Sequence, residues 1–436
     1  MVPRPPTSGV SPASGRRTRG QLPTSTGTPL GKLTVEDIRA AAERIRGRVH
    51  LTPCWESRTF SELCGGRVWL KYENLQRTGS YKIRGALNRI LTLAPEARAK
   101  GVIAASAGNH AQGVAVAASL AGVPATIVMP RQAPLAKVAA TRGYGARVIL
   151  HGDVFDEAHA EALRIASAEG LTYVHPFDDP MVMAGQGTVA LEILEAAPEI
   201  DTLVVPIGGG GLISGVAVAA RALRPDLRVY GVQASGANAT ELAFHKHFTG
   251  RLESPTTIAD GLITRSPGSL TLPIIQSYVD DVVTVPDEAI AETVVLLMER
   301  AKTVAEPAGA VALAALLSGA VDASNTRSCA IISGGNVDPN LMDRLLQFGL
   351  GAAGRHLRLR TELTDRPGAL VGLSSVIADQ GANIFEVVHH RIGSARSVNV
   401  VDLSLTLEVR DRAHGEAVIQ ALRKAGYVAE VIHPFR

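Results

Sequence analysis

TLVVPIGGGGLISGVAVAARAL, residues 202–223, decides the fold. TLVVPI is apolar without alternation, so a strand formed there would be buried on both faces, as in a parallel sheet. Gly208, Gly209, Gly210 and Gly211 stop it, and LISGVAVAARAL then reads as a helix. A fully buried strand feeding a helix through a short turn is half of a βαβ unit.

The same grammar extends in both directions. GVIAAS (101–106), ATIVMP (125–130), ARVILHG (146–152) and LTYVHP (171–176) read as strands. Between them the alanine-rich stretch to Ala121, LAKVAATRG (135–143) and DEAHAEALRIASAEG (156–170) read as helices. Downstream come the strands LRVYGVQ, VVTVP and CAII, with helices starting at Asp287 and Pro307. The expectation is an α/β core of two lobes, one from the 100–175 block and one from the 200–335 block, with a cleft between them. After Gly354 the order changes. HLRLRTEL, ANIFEVVHHRI, VNVVDLSLTLEV and YVAEVIHPF are strands, interrupted by RPGALVGLSSVIADQG and HGEAVIQALRKAG as helices, the first starting at Pro367 and ending at Gly381. This β-α-β-β-α-β order is ferredoxin-like and predicts a separate domain over 355–436, joined by a linker at 350–354 to a catalytic domain over 31–349.

Composition bounds the function. Of 436 residues, 46% are hydrophobic and 19% charged, and the net charge is +3. No basic patch interleaves with aromatics, which argues against a nucleic-acid partner. No apolar run reaches the roughly 20 residues of a membrane span. Three scattered cysteines, Cys54, Cys64 and Cys329, match neither a metal site nor a disulfide framework, and point to reduced thiols in a cytoplasm. Residues 1–30 hold Pro, Ser, Thr, Gly and arginines without an acid, so they are read as a disordered tail. An organelle transit peptide shares that composition; Arg16 and Arg17 precede no apolar run, which disfavours a signal peptide.

Four features carry chemistry. They are Lys82 within ENLQRTGSYKIRGAL (73–87), SAGNHAQG (106–113) at a strand-to-helix junction, the four glycines, and SGGN (333–336) after CAII. Each has a plain reading: an exposed lysine, a helix cap at Asn109 and His110, a flexible turn, a strand end at Ser333. Yet all fall at strand ends of one α/β core, where ligands of such sheets bind. A glycine run between strand and helix also directs backbone N–H groups at an anion. A lysine with a phosphate cradle and no metal ligands points to pyridoxal phosphate.

These motifs, with GQGTVALEI (185–193) and EPAGA (306–310) in the same order, resemble the threonine/serine dehydratases of the tryptophan-synthase-β-like, fold type II pyridoxal enzymes, from about Leu33 to Leu346. LTDRPGALVGLSSVIADQGANI (363–384) resembles an ACT domain. The resemblance implies a Schiff base on Lys82 with Tyr81 against the ring. Gly208–Gly211 and Leu212 would hold the phosphate, Asn109 the 3-hydroxyl, and Ser333 would face the pyridine nitrogen. Ser106, Ala107, Gly108, Asn109 and His110 would line the substrate carboxylate site. It implies elimination of water and ammonia from L-threonine, and from L-serine. An amino-acid effector, isoleucine or valine, would be held by Gly368 and Asn383 between paired ACT domains of a dimer or tetramer.

Two departures qualify the carry-over. Serine racemases of this family carry a serine where this chain has Ala107, which disfavours racemisation. Metal-activated relatives place carboxylates after the strand that ends here at Gln233, whereas no acid follows before Glu241, so no magnesium or calcium site is expected and only a monovalent cation is left open. The alternatives are a serine dehydratase or racemase, and, in a different class, an amino-acid-sensing protein with a vestigial core.

Overall fold

The structure, a computed structural model, describes residues 33–247, 250–390 and 399–432. The tail over 1–30 lies outside the described residues, as do the ends of three expected ACT strands, at 391–392, 398 and 433–435.

The first sheet has six strands: β1 (Cys54–Glu56), β2 (Arg67–Tyr72), β7 (Thr202–Pro206), β8 (Arg228–Ala234), β9 (Asp281–Val285) and β10 (Arg327–Ile332), in the order β1-β2-β10-β7-β8-β9. All neighbours are parallel except β1, which pairs antiparallel with β2 at the edge. Every residue of β7 is buried, as its unbroken apolar run requires. The second sheet is parallel, β5-β4-β3-β6, from β3 (Val102–Ala105), β4 (Ala125–Met129), β5 (Arg147–Leu150) and β6 (Thr172–Tyr173).

The 100–175 and 200–335 blocks form the two sheets as expected, and the larger one also takes two earlier strands. β1 and β2 precede the smaller lobe in the chain but belong to the larger lobe's sheet, where β2 lies against β10. The chain thus leaves the larger sheet at Tyr72, builds the smaller lobe, and returns at β7. Helix Pro180–Ala196 makes the return and packs on two helices, Lys82–Leu91 and Gly211–Leu223. Its glycines are required there. A Cβ on Gly185 would lie 2.5 Å from the Arg84 carbonyl, and one on Gly187 would lie 2.8 Å from that of Gly215. The GQGTVALEI motif is therefore the joint that fixes the lysine-bearing helix against the glycine-loop helix.

A buried ion cluster tightens the same joint. Arg84 donates to Glu73 through Nε and Nη2, each at 2.8 Å, and to Glu192; Lys71 pairs with Glu192 and donates to the Thr52 carbonyl at 2.7 Å. Arg84 and Glu73 are fully inaccessible. Such charges persist in a core only when mutually paired and hydrogen-bonded.

The third sheet is antiparallel, β12-β13-β11-β14, from β11 (His356–Thr364), β12 (Asn383–His390), β13 (Val400–Glu408) and β14 (Glu430–Val431). Helices Ala369–Asp379 and Arg412–Lys424 contribute Leu373, Ile377, Val418 and Leu422 to one core with Leu359, Leu363, Leu403 and Leu405 of the strands. The expected β-α-β-β-α-β order is borne out.

Three local expectations are corrected. LTYVHP forms only the two-residue β6, because Pro176 cannot donate to a ladder and His175 Nδ1 instead accepts from the N–H groups of Phe177 and Asp178, at 3.2 and 2.7 Å, making a turn. Residues 350–352, expected in a linker, are the last turn of helix Pro339–Ala352, which Gly354 ends at φ +70°. Pro367 precedes rather than starts its helix, whose cap is Gly368 at φ +84°.

Candidate active site

Lys82 opens helix Lys82–Leu91, directly after the cap residue Tyr81. Its place is set by backbone pairing with the SGGN segment. Ser80 bridges Gly334, Tyr81 N–H donates to the Ser333 carbonyl at 3.2 Å, and Gly335 N–H donates to the Gly79 carbonyl at 2.8 Å. The parallel register of β2 with β10 makes this meeting unavoidable, since both strands end at the same level, Tyr72 opposite Ile332. Lys82 Nζ donates to the Pro176 carbonyl at 3.0 Å and lies 5.3 Å from the Tyr81 ring centre. The packed surroundings disfavour its ammonium and lower its pKa to about 8, against a smaller opposing pull from Glu306. The amine therefore takes up and gives back a proton near neutral pH.

The glycine loop runs from β7 into helix Gly211–Leu223, with Gly210 at φ +95° as the cap. Its carbonyls are occupied: Thr271 Oγ1 donates to Gly209 O at 2.7 Å and Thr264 Oγ1 to Gly208 O at 3.3 Å. The N–H groups of Gly208, Gly209, Gly210 and Gly211 have no acceptor among the described residues. Buried N–H groups are rarely left unpaired, so a loop that offers four is built for an anion. Phe177 closes over it: a Cβ on Gly209 would lie 2.2 Å from the ring. Leu212, the second helical residue, is buried.

Asn109 and His110 begin helix Asn109–Ala121 and Gly108 is the cap residue, so the plain reading of the pair as a helix cap does not apply. Ser106 Oγ accepts from Gly108 N–H at 3.1 Å, and Ala107 is half-buried beside them. The Asn109 side chain turns away from the helix. Its Nδ2 donates to Glu306 Oε1 and its Oδ1 accepts from Asn336 Nδ2 at 2.8 Å. His110 bonds the Val174 carbonyl through Nε2 at 2.9 Å, and burial first, then Lys82, push its pKa down to about 3. A neutral ring with its one proton committed to Val174 has no donor left for a carboxylate. What remains for an anion is the helix N-terminus, where the N–H groups of Asn109 and His110 have no acceptor among the described residues. Ser333 is buried after β10, with Oγ 3.4 Å from the Ala308 carbonyl.

The structure thus brings Tyr81, Lys82, Ser106–His110 and Ser333 together with the glycine loop at the strand ends. Gly368 and Asn383 are not brought together. Gly368 lines a cleft with Leu363, Asp365, Arg366, His389 and Leu403, whereas Asn383 starts β12 at the far end of the sheet, bonded to Glu408 at 3.3 Å. Six steps along the strand take Asn383 to His389, roughly 20 Å at the usual rise.

Sequence reading left Glu306, Asn336, Pro176 and Phe177 without roles. Glu306 lies in EPAGA, where it reads as a helix start before Pro307, and Asn336 lies in SGGN. Pro176 acts through a carbonyl and Phe177 through ring placement, for which no sequence signal exists.

The residues fit pyridoxal phosphate on this geometry: a lysine with depressed basicity, an N–H cradle that only glycines leave open, and a neutral hydroxyl at Ser333. Residues 45–334 match the pyridoxal-phosphate dependent enzyme family, and residues 354–432 match the ACT domain. The L-threonine ammonia-lyase of Thermotoga maritima is 46% identical over 400 residues, covering 92% of this chain and 100% of that protein. Among solved structures, maize serine racemase superposes with a TM-score of 0.69 at 40% identity, covering 73% of this chain and 98% of its own. The processed threonine deaminase isoform 2 of Solanum lycopersicum superposes with a TM-score of 0.68 at 35% identity, covering 72% and 92%. A cleft lysine and an N–H cradle in family order, with a match spanning nearly the whole chain, place it in the pyridoxal-phosphate dependent enzyme family, alongside the L-threonine ammonia-lyases and with a C-terminal ACT domain.

Proposed function

We propose that the chain deaminates L-threonine to 2-oxobutanoate and ammonia, acts also on L-serine to give pyruvate, and is regulated by an amino acid bound to its ACT domain. The observation that carries this reading is geometric: Lys82, with its Nζ on the Pro176 carbonyl, shares the strand ends with a glycine loop whose four N–H groups have no acceptor among the described residues.

Bound pyridoxal phosphate supplies the electron sink that makes the amino acid's α-C–H acidic. Gly208–Gly211 and Leu212 would hold its phosphate, Lys82 its carbonyl carbon, and Ser333 its ring nitrogen. A serine hydroxyl does not enforce protonation there as a carboxylate would, which favours prompt loss of the β-hydroxyl. Displaced from the cofactor's carbonyl carbon by the substrate's amine, Lys82 Nζ would be free to take the α-proton and return one to the departing hydroxyl. Ser106 and the N–H groups of Asn109 and His110 orient the substrate carboxylate, with the helix dipole favouring its charge. Ala107 offers no proton to the opposite face, so elimination prevails over racemisation. After release, hydrolysis yields the 2-oxo acid and ammonia.

Regulation follows from the ACT geometry. Gly368 and Asn383 lie too far apart to hold one ligand within a chain, so a site using both forms between two copies, as the edge strand β12 permits. Isoleucine, the end product if the enzyme serves its synthesis, is the first effector; valine is the second. The three free thiols accord with a cytoplasmic enzyme.

The test is a keto-acid assay on L-threonine, L-serine and D-serine, with and without isoleucine and valine. It should give 2-oxobutanoate and pyruvate from the L-substrates, no D-serine from L-serine, and no turnover in Lys82→Ala. D-serine appearing as fast as pyruvate would overturn the role given to Ala107. Borohydride labelling at another lysine would overturn that of Lys82.

A further inference from the structure

We propose that Glu306 is a positioning residue: together with Asn336 it locks the Asn109 amide so that Asn109 presents a hydrogen-bond donor, not an acceptor, to the oxygen on the cofactor ring. This rests on the proposed pyridoxal site.

Glu306 occupies the cap position of helix Pro307–Leu317 but its side chain does not cap that helix. It is buried and turns to Asn109 instead. Space for it is made by Gly334, where a Cβ would lie 2.1 Å from Glu306 Oε1. The lock follows from donor accounting. An ionised carboxylate only accepts, so it demands Asn109 Nδ2 on its side. On the other edge Asn336 Nδ2 donates to Asn109 Oδ1 at 2.8 Å and to the Thr78 carbonyl at 2.7 Å, so it demands Oδ1. A flipped amide would set oxygen against carboxylate and N–H against N–H. With one Nδ2 hydrogen on Glu306, the second is the donor left for the cleft.

Titration should release one edge of the lock. The groups facing Glu306 are Lys82 and Tyr81 at the head of their helix, Lys137 of helix Leu135–Gly143, Asp260 of the turn Asp260–Leu262, and Asn109 itself. Burial first, then Asp260, raise the carboxyl to about 7, with Asn109, Lys137 and Lys82 opposing. Once protonated, Glu306 can give its own hydrogen to Asn109 Oδ1, so its half of the lock is released and the Asn336 edge alone still holds the amide. The donor is therefore held from both edges above about pH 7 and from the Asn336 edge alone below it.

The experiment is a pH titration, from about 5.5 to 9, of the visible absorbance of the full-length holoenzyme, with kcat and KM for threonine at each pH. Wild type should show an acid-side transition near pH 7. E306Q cannot ionise, and its amide offers both a donor and an acceptor as the protonated acid does, so it should lose that transition and hold the acid-side spectrum throughout. E306A should shift the band at every pH and lower kcat by about 10²-fold, the scale of a misplaced contact, with KM little changed. N336A, which frees only the other edge, should shift the band without moving the midpoint. An E306Q titration superimposable on wild type, or an N336A band identical to it, overturns the lock. Absence of a visible band in wild type, or its survival in Lys82→Ala, overturns the underlying pyridoxal reading instead.

Discussion

Replacing Arg84 with leucine should be among the most damaging single changes to this core, although Arg84 touches none of the proposed ligands. The substitution deletes the Nε and Nη2 bonds to Glu73, the Nη1 and Nη2 bonds to Glu192, and weaker ones to Thr188 Oγ1 at 3.2 Å and the His50 carbonyl at 3.3 Å. It also converts a balanced set, two cations with two carboxylates, into one with a surplus negative charge. Glu73 has no solvent to turn to and keeps only Thr52 and the field of Lys71. Breaking a buried pair from one side costs about 3–5 kcal/mol, a large share of the 5–15 kcal/mol of a typical domain. The pH dependence has a definite sign. In the wild type, burial pushes the Glu73 pKa up, but Arg84 first, then Lys71 and Thr52, together more than offset it, so the net value is below the ordinary one. That contribution to stability is present above the unfolded value, about 4.3, and is lost as pH falls. In R84L burial dominates and the folded pKa rises above the unfolded one, so stability is lost as pH increases through the interval between them. The gap between variant and wild type should therefore widen from pH 4.5 to 7.5. Urea unfolding of the holoenzyme followed by tryptophan fluorescence reads this directly, because both tryptophans, Trp55 and Trp69, are on β1 and β2 beside Lys71. The double variant R84L/E73Q restores charge balance and should recover much of the loss. A cost below about 1 kcal/mol, the range of exposed ion pairs, or a double variant no more stable than R84L, would refute the argument.

Two further outcomes follow from close contacts. Gly209→Ala places a methyl 2.2 Å from the Phe177 ring, an overpacking worth about 1–3 kcal/mol; equilibrium dialysis should show pyridoxal phosphate affinity lowered by about tenfold or more, and G209A/F177A should recover part of it. Gly368→Val forces a β-branched side chain to φ +84°, at about 1–2 kcal/mol, so the proposed isoleucine-dependent shift in half-saturating threonine should be absent from the variant; a shift equal to that of the wild type would show that the effector binds elsewhere.

What the sequence by itself determined is what depends on neighbours along the chain. Unbroken apolar runs such as TLVVPI require burial on both faces, so parallel sheets and their helices were legible, and so was the alternating HLRLRTEL of the last domain. The motifs also announced Lys82, the four glycines and Ser333, because each bears its chemistry in its own residue type. Tertiary structure decided what depends on pairing across long stretches of chain. The register of β2 with β10 sets Lys82 beside Ser333 and moves the first two strands into the larger lobe, and Gly185 and Gly187 close the joint between the helices. It also decided which groups are left free. His110 was legible as part of the carboxylate site, but only the fold shows that its ring is bonded to the Val174 carbonyl, 64 residues on, which leaves its backbone N–H for that role. Glu306 looked like the residue before a helix until burial and Asn109 made it a titrating partner of the site. Hydrogen-bond capacity is a property of a residue; whether it is spent is a property of its surroundings, and those are assembled only when the chain has folded.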